Sequence, residues 1–224
     1  MWCGLFGVAG NVLGVAVLGP LPSAYRPGTM VPWVAETIAA PFDASVSAVA
    51  FTLGLLSLIV WAIALGEMID TPGTRAAGVM IACGALLNAG GTLGPFVLAQ
   101  YLGPNCRGAV DCLPAGLALL GMSLALDALF NLLLGVGLIV MGAAMWRLSP
   151  GLRVRGSEYK EPGTFRSRGD SKAVALLSII AGMATVPVCL QIWSDLAARW
   201  LAVAGPLWLL TIVATSVVLW RNRL

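Results

Sequence analysis

Residues 1–20, "MWCGLFGVAGNVLGVAVLGP", carry no charged side chain and place glycine at Gly4, Gly7, Gly10, Gly14 and Gly19. In a soluble helix each interior glycine costs about 1 kcal/mol relative to alanine. A bilayer changes the balance. Helices there gain little by hiding apolar surface from lipid, so close approach through small residues does much of the associating. An uncharged, glycine-studded run therefore reads as a membrane helix with a packing face. Gly10 and Gly14 form a GxxxG pair, and Gly4, Gly7 and Gly10 follow at three-residue steps along one side.

The rest of the chain has the same character. Of 224 residues, 59% are hydrophobic and 10% charged, against about 25% charged in soluble domains. The reading predicts an all-α polytopic membrane protein, a single integral membrane domain over 1–224 folded as one bundle. Its six transmembrane helices fall at about 2–20, 46–67, 76–101, 117–146, 173–194 and 203–220. Each is long enough for a hydrocarbon core of about 30 Å at about 1.5 Å per residue. The first run lacks a basic n-region, so it reads as a retained helix and not a cleaved signal. Outer loops are expected at 21–45, 102–116 and 195–202, and inner loops at 68–75 and 147–172.

Lys and Arg are enriched in cytoplasmic loops. With both termini inside, the inner side holds Arg75, Arg147, Arg153, Arg155, Lys160, Arg166, Arg168, Lys172, Arg221 and Arg223. The outer side holds only Arg26, Arg107 and Arg199. The expected topology is N-in, C-in. Trp2, Trp146 and Trp220 then mark inner boundaries, and Tyr25, Trp33, Tyr101, Trp193 and Trp200 outer ones. The Gly/Ala/Val/Arg-rich, Lys-poor composition points to the cytoplasmic membrane of a GC-rich bacterium.

In "GPNCRGAVDCLPAG" (103–116), Cys106 and Cys112 lie in a Gly/Pro-rich loop on the expected outer side, where disulfides persist. A disulfide closing a small ring is expected; two free thiols, or a metal or redox role, are the alternatives. Cys3, Cys83 and Cys189 fall in helices and read as small hydrophobes. Residues 31–40 suit a short amphipathic helix between Pro32 and Pro41, with Trp33 and Ile38 on the membrane surface and Glu36 toward water. A partner-docking surface is the alternative there. The basic loop 151–172 is expected to lie against anionic lipid headgroups.

The chain contains no histidine. That removes imidazole as a ligand of haem, pigment or metal and as a general base near neutral pH, so no cofactor is expected. The small net charge of +3, with its basic residues clustered, implies no nucleic-acid partner. The best functional pointers are polar residues within the expected spans: Asn11, Asn88, Asp127, Asn131 and Gln191. Asp127 and Asn131 are i,i+4 and share a helix face. One reading has these groups hydrogen-bonding between helices to hold the bundle together. The other makes a pocket around Asn88, Asp127 and Asn131 that binds a cation or proton.

Gly90 and Gly94 form a second GxxxG, and Gly135 and Gly142 mark a small-residue face on the fourth helix. The chain is expected to be a non-catalytic accessory or scaffold subunit, packing through such faces against other membrane subunits or copies of itself. A small oligomeric transporter or channel is the alternative. An intramembrane enzyme lacks a metal site or an acid/base pair. The topology makes a direct prediction: cysteine placed at Lys160 is blocked to impermeant maleimide in intact cells, while the 21–45 loop is reachable. Labelling of residue 160 from outside would overturn the orientation.

Overall fold

Apolar stretches in this chain become helices because, without water, backbone N–H and C=O groups must pair within their own segment. The computed structural model describes residues 2–18, 27–106, 109–148 and 168–221, and every regular element among them is helical. In order these are α1 (Trp2–Leu18), α2 (Pro27–Ala39), α3 (Pro41–Ile69), α4 (Pro72–Gly91) and α5 (Leu93–Val97). A π-helical segment, Leu98–Leu102, and a 3-10 turn, Gly103–Asn105, extend α5. Then come α6 (Ala109–Leu148), α7 (Arg168–Thr185) with a 3-10 continuation over Val186–Ile192, and α8 (Asp195–Arg221).

Five helices are long and apolar enough to cross a membrane: Pro41–Ile69, Pro72–Asn105, Asp111–Arg147, Ser171–Gln191 and Arg199–Val218. The remaining expected span is the shorter apolar helix Trp2–Val17. Its glycines seat it against α3. A Cβ on Gly10 would lie 2.6 Å from the Ala50 carbonyl oxygen, and one on Gly7 3.2 Å from that of Gly54. The Ser47 hydroxyl donates to the Gly14 carbonyl at 2.9 Å. Gly4 meets Trp61 of α3 and Ser216 of α8, while the Trp61 indole N–H donates to the Ser216 hydroxyl at 3.2 Å. α1 thus runs antiparallel to α3, and its start lies beside the end of α8. The packing face expected on α1 is satisfied inside the chain.

The same end of the bundle holds the α3–α4 turn. Asp70 closes α3 in the left-handed region, at φ 50°. Thr71 caps α4, its hydroxyl accepting the Thr74 N–H at 3.2 Å, with Pro72 in the first turn. Arg75 pairs with Asp70, and Lys172 sits 5.5 Å from the centre of the Trp146 ring.

At the opposite end the observed boundaries depart from those expected. α6 begins eight residues before 117 and α8 begins at Asp195, so 195–202 is helix, while at the α3–α4 end the third span starts at Pro72. The helix expected at 31–40 is α2, four residues longer at its start. Its Trp33 faces protein of this chain. Trp33 is 8% exposed and Val34 0%, because they pack with Met30 against Leu98, Leu120 and Leu124 of this chain, flanked by Ile38. Leu98, Leu120 and Leu124 form that second layer, with Leu113 of the extra α6 turns at its edge, so α2 has protein to cover. Glu36 remains exposed, as expected.

Residues 149–167, which make up most of the basic loop proposed to meet anionic lipid, lie outside the described residues, as do Gly19, Tyr25, Arg26, Arg107 and Arg223. Cys106 and Cys112 are joined by a disulfide, Cα atoms 5.8 Å apart, that ties the 3-10 turn to the start of α6.

The two GxxxG pairs are built differently. Gly94 is tight, a Cβ there reaching within 3.1 Å of the Leu119 carbonyl oxygen, but a Cβ on Gly90 meets nothing closer than 3.9 Å. It is Gly91, at 3.3 Å from the Leu126 Cβ, that shares the seam with Gly94. Gly10→Leu should therefore destabilise the protein in detergent by about 1–3 kcal/mol or more, as overpacking does, while Gly90→Leu stays within about 0.5 kcal/mol of the parent. Equal thermal midpoints for the two variants would contradict this packing.

Candidate functional site

Four of the five polar residues expected inside the membrane converge. The Asp127 carboxylate of α6 accepts three hydrogen bonds from carboxamides on three elements. Asn88 Nδ2 of α4 donates to Oδ1 at 2.9 Å. Asn131 Nδ2, one turn along α6, donates to Oδ2 at 3.0 Å and to the Asp127 carbonyl at 2.8 Å. Gln191 Nε2 donates to Oδ2 at 2.5 Å. Asn131 and Gln191 are 2% and 6% exposed, while Asn88 and Asp127 are half-buried. Asn11 stands apart: its Nδ2 donates to the Gly7 carbonyl at 2.8 Å in the α1–α3 seam.

A change of winding positions one of the three donors, and another lies just ahead of an irregular stretch. Asn88 lies one turn before α4 ends, where the Thr92 N–H donates to the Asn88 carbonyl at 3.0 Å. Beyond it, Gly94-Pro95 opens α5 and the helix widens into the π segment. Gln191 belongs to the 3-10 stretch that begins beside Pro187, whose missing N–H and ring oppose a continued α-helix. A 3-10 helix advances about 120° per residue and an α-helix about 100°. Five or six residues of the tighter winding turn Gln191 by roughly a third of a revolution, toward Asp127.

The site has a hydroxyl layer that sequence reasoning missed. The Ser123 hydroxyl, one turn before Asp127, bridges to the Gly91 carbonyl at 2.7 Å and the Leu119 carbonyl at 2.9 Å. Thr92 and Thr52 hydroxyls share a hydrogen bond of 2.8 Å, joining α4 to α3. The signal was present: Ser123, Asp127 and Asn131 are successive i,i+4 neighbours, as are Asn88 and Thr92. At about 1.5 Å per residue, Asn88 lies about 24 Å along α4 from Pro72, which puts the cluster nearer the end covered by α2.

Chemically this is a carboxyl group whose two oxygens face three amide N–H donors. Three N–H donors stabilise the carboxylate, and a proton or small cation that binds it must compete with them for its two oxygens. Removing the acceptor strands the donors. Asp127→Leu should lower stability by about 1–3 kcal/mol for each buried amide left unpaired, whereas Asp127→Asn retains an acceptor oxygen and loses less. Detergent unfolding of both variants checks this, and indistinguishable midpoints would mean that the carboxylate does not hold these helices together.

No protein-family model, curated protein or solved structure matches this chain.

Proposed function

We propose that this chain is a small membrane carrier or channel for a proton or monovalent cation, with Asp127 as its exchange site. The observation that carries the reading is the position of that carboxylate: within the bundle, between α4 and the 3-10 continuation of α7. Discontinuous helices at a polar site are the usual construction of secondary transporters, and an ionisable residue within a span is costly enough to mark function by default. In this reading α1 is the sixth span, both termini are cytoplasmic, and the protein resides in the cytoplasmic membrane of a bacterium. Supporting the shared side of the termini, Gly4 near the start of α1 lies against Ser216 near the end of α8. The basic residues of 147–172 would then face anionic lipid headgroups.

A second reading, a non-catalytic scaffold subunit of a larger membrane complex or of a self-assembly, is favoured by a different observation. Among the described residues, every buried side-chain nitrogen and oxygen already has a partner within the chain. The Asp127 cluster would then be a staple and its carboxylate would exchange nothing.

Purified protein in proteoliposomes separates the two. Under an imposed proton or sodium gradient, the carrier reading expects a flux that Asp127→Asn reduces at least tenfold. Equal flux in parent and variant rejects Asp127 as the exchange site. No flux, together with a stoichiometric partner retained through purification from native membranes, establishes the scaffold instead.

A further inference from the structure

On α6, Gly116, Leu120, Leu124, Asp127 and Asn131 follow one another at spacings of four, four, three and four residues, which aligns them along one helix face. The last two belong to the polar cluster. The first three are covered by α2. A Cβ on Gly116 would lie 2.7 Å from Val34 Cγ1, so this glycine is the slot that receives α2. Met30, Trp33 and Val34 then close over Leu98, Leu120 and Leu124. Leu124 is 2% exposed and stands one turn from Asp127. An apolar plug therefore lies between the carboxylate and the near end of the bundle.

The plug is mounted on a hinge. α2 and α3 are separated by Ala40 alone, whose φ of −120° and ψ of 62° leave the helical region. The Ala40 N–H donates to the Glu36 carbonyl at 3.0 Å, and the Ala44 N–H to the Ala40 carbonyl at 3.1 Å, so both flanking helices stay intact. A change of backbone conformation at this one residue would swing α2 as an arm. A shallow groove lined by Ile38, Pro41, Phe42, Ala99, Gln100 and Gly103 adjoins the hinge. The frame around it is fastened: Gln100 Nε2 donates to the Pro41 carbonyl at 3.1 Å and the Ser45 hydroxyl at 2.7 Å, and the Cys106–Cys112 bond holds the adjacent turn.

We infer that α2 is a hinged lid, seated by Val34 in the Gly116 slot, that closes the path from this end of the bundle to the Asp127 site. The inference rests on the exchange role proposed for Asp127. Seated, α2 keeps water from the carboxylate; swung about Ala40, it uncovers Leu120 and Leu124 and opens the face that leads to Asp127.

Two changes move α2 in opposite directions, made with Cys3, Cys83 and Cys189 replaced by alanine. Gly116→Leu fills the slot and lifts the arm; Val34→Cys with Gly116→Cys lets an oxidant pin it. Leu124→Cys reports opening through its rate of reaction with a charged, impermeant methanethiosulfonate. Gly116→Leu should raise that rate at least tenfold. Should Gly116→Leu fail to give a folded protein, Val34→Ala, which thins the plug, must raise it too. An unchanged rate in the folded variant overturns the lid, whatever the flux. In proteoliposomes under a proton gradient, pinning should lower flux at least tenfold and dithiothreitol restore it, relative to parent protein treated identically. A labelling rate that rises while Asp127→Asn leaves flux untouched keeps the lid and rejects the exchange site.

Discussion

Backbone touching backbone is the condition on which this bundle rests. In lipid, the attraction between helices comes from packing and interhelical hydrogen bonds, and both weaken steeply with separation. Gly10 lets α1 reach the Ala50 carbonyl of α3, and Gly142 and Gly182 let α6 and α7 meet along two successive turns, with Cβ positions 2.5 Å from the Ala175 and Gly135 carbonyl oxygens. Gly78 does the same for α3 and α4, 2.6 Å from the Ala62 carbonyl. These seams set the distances at which everything else must work. A carboxamide reaches only a few ångströms, so Asn88 and Gln191 can meet one carboxylate only because α4 and α7 are already held close to α6.

The polar cluster and the irregular helix segments belong together energetically. Each interhelical hydrogen bond in a membrane contributes about 0.6–2 kcal/mol, while an uncompensated carboxylate at that depth costs more than any one of them returns. Three donors from three elements offset it. One of those donors, Gln191, sits on the stretch where α7 tightens beyond Thr185. A bundle of uninterrupted helices would place Gln191 elsewhere on its helix surface and leave Asp127 with fewer partners.

Much of this was legible from residue order, for reasons that differ by element. The all-helical membrane character follows from long apolar runs, whose physics is local. The members of the cluster could be nominated one by one, because Asn, Asp and Gln are conspicuous in such runs; Asp127 and Asn131 could be paired, because they share a helix. That Asn88 and Gln191 join them, and Asn11 does not, depends on which helices are neighbours, a tertiary fact. The helix ends were read poorly where protein replaces lipid. Trp33 looked like an interfacial anchor because its burial against Leu98, Leu120 and Leu124 depends on where α2 docks, which nothing in 31–40 announces. The same holds for Gly90 and Gly91: the motif favours the first and the helix rotation uses the second.

The disparity in helix length bears on the lipid that would surround the bundle. α1 has 17 residues and α6 has 40, so at about 1.5 Å per residue they extend roughly 25 Å and 60 Å. If α1 is a span, as the proposed function has it, hydrocarbon in contact with it would thin to match, at a fraction of a kcal/mol per ångström. Trp2 and Phe6, both well exposed on α1, mark where that thinned annulus would form. In that reading the flank at α1 would suit shorter acyl chains, so bilayer thickness itself would bias where the protein resides and how it tilts.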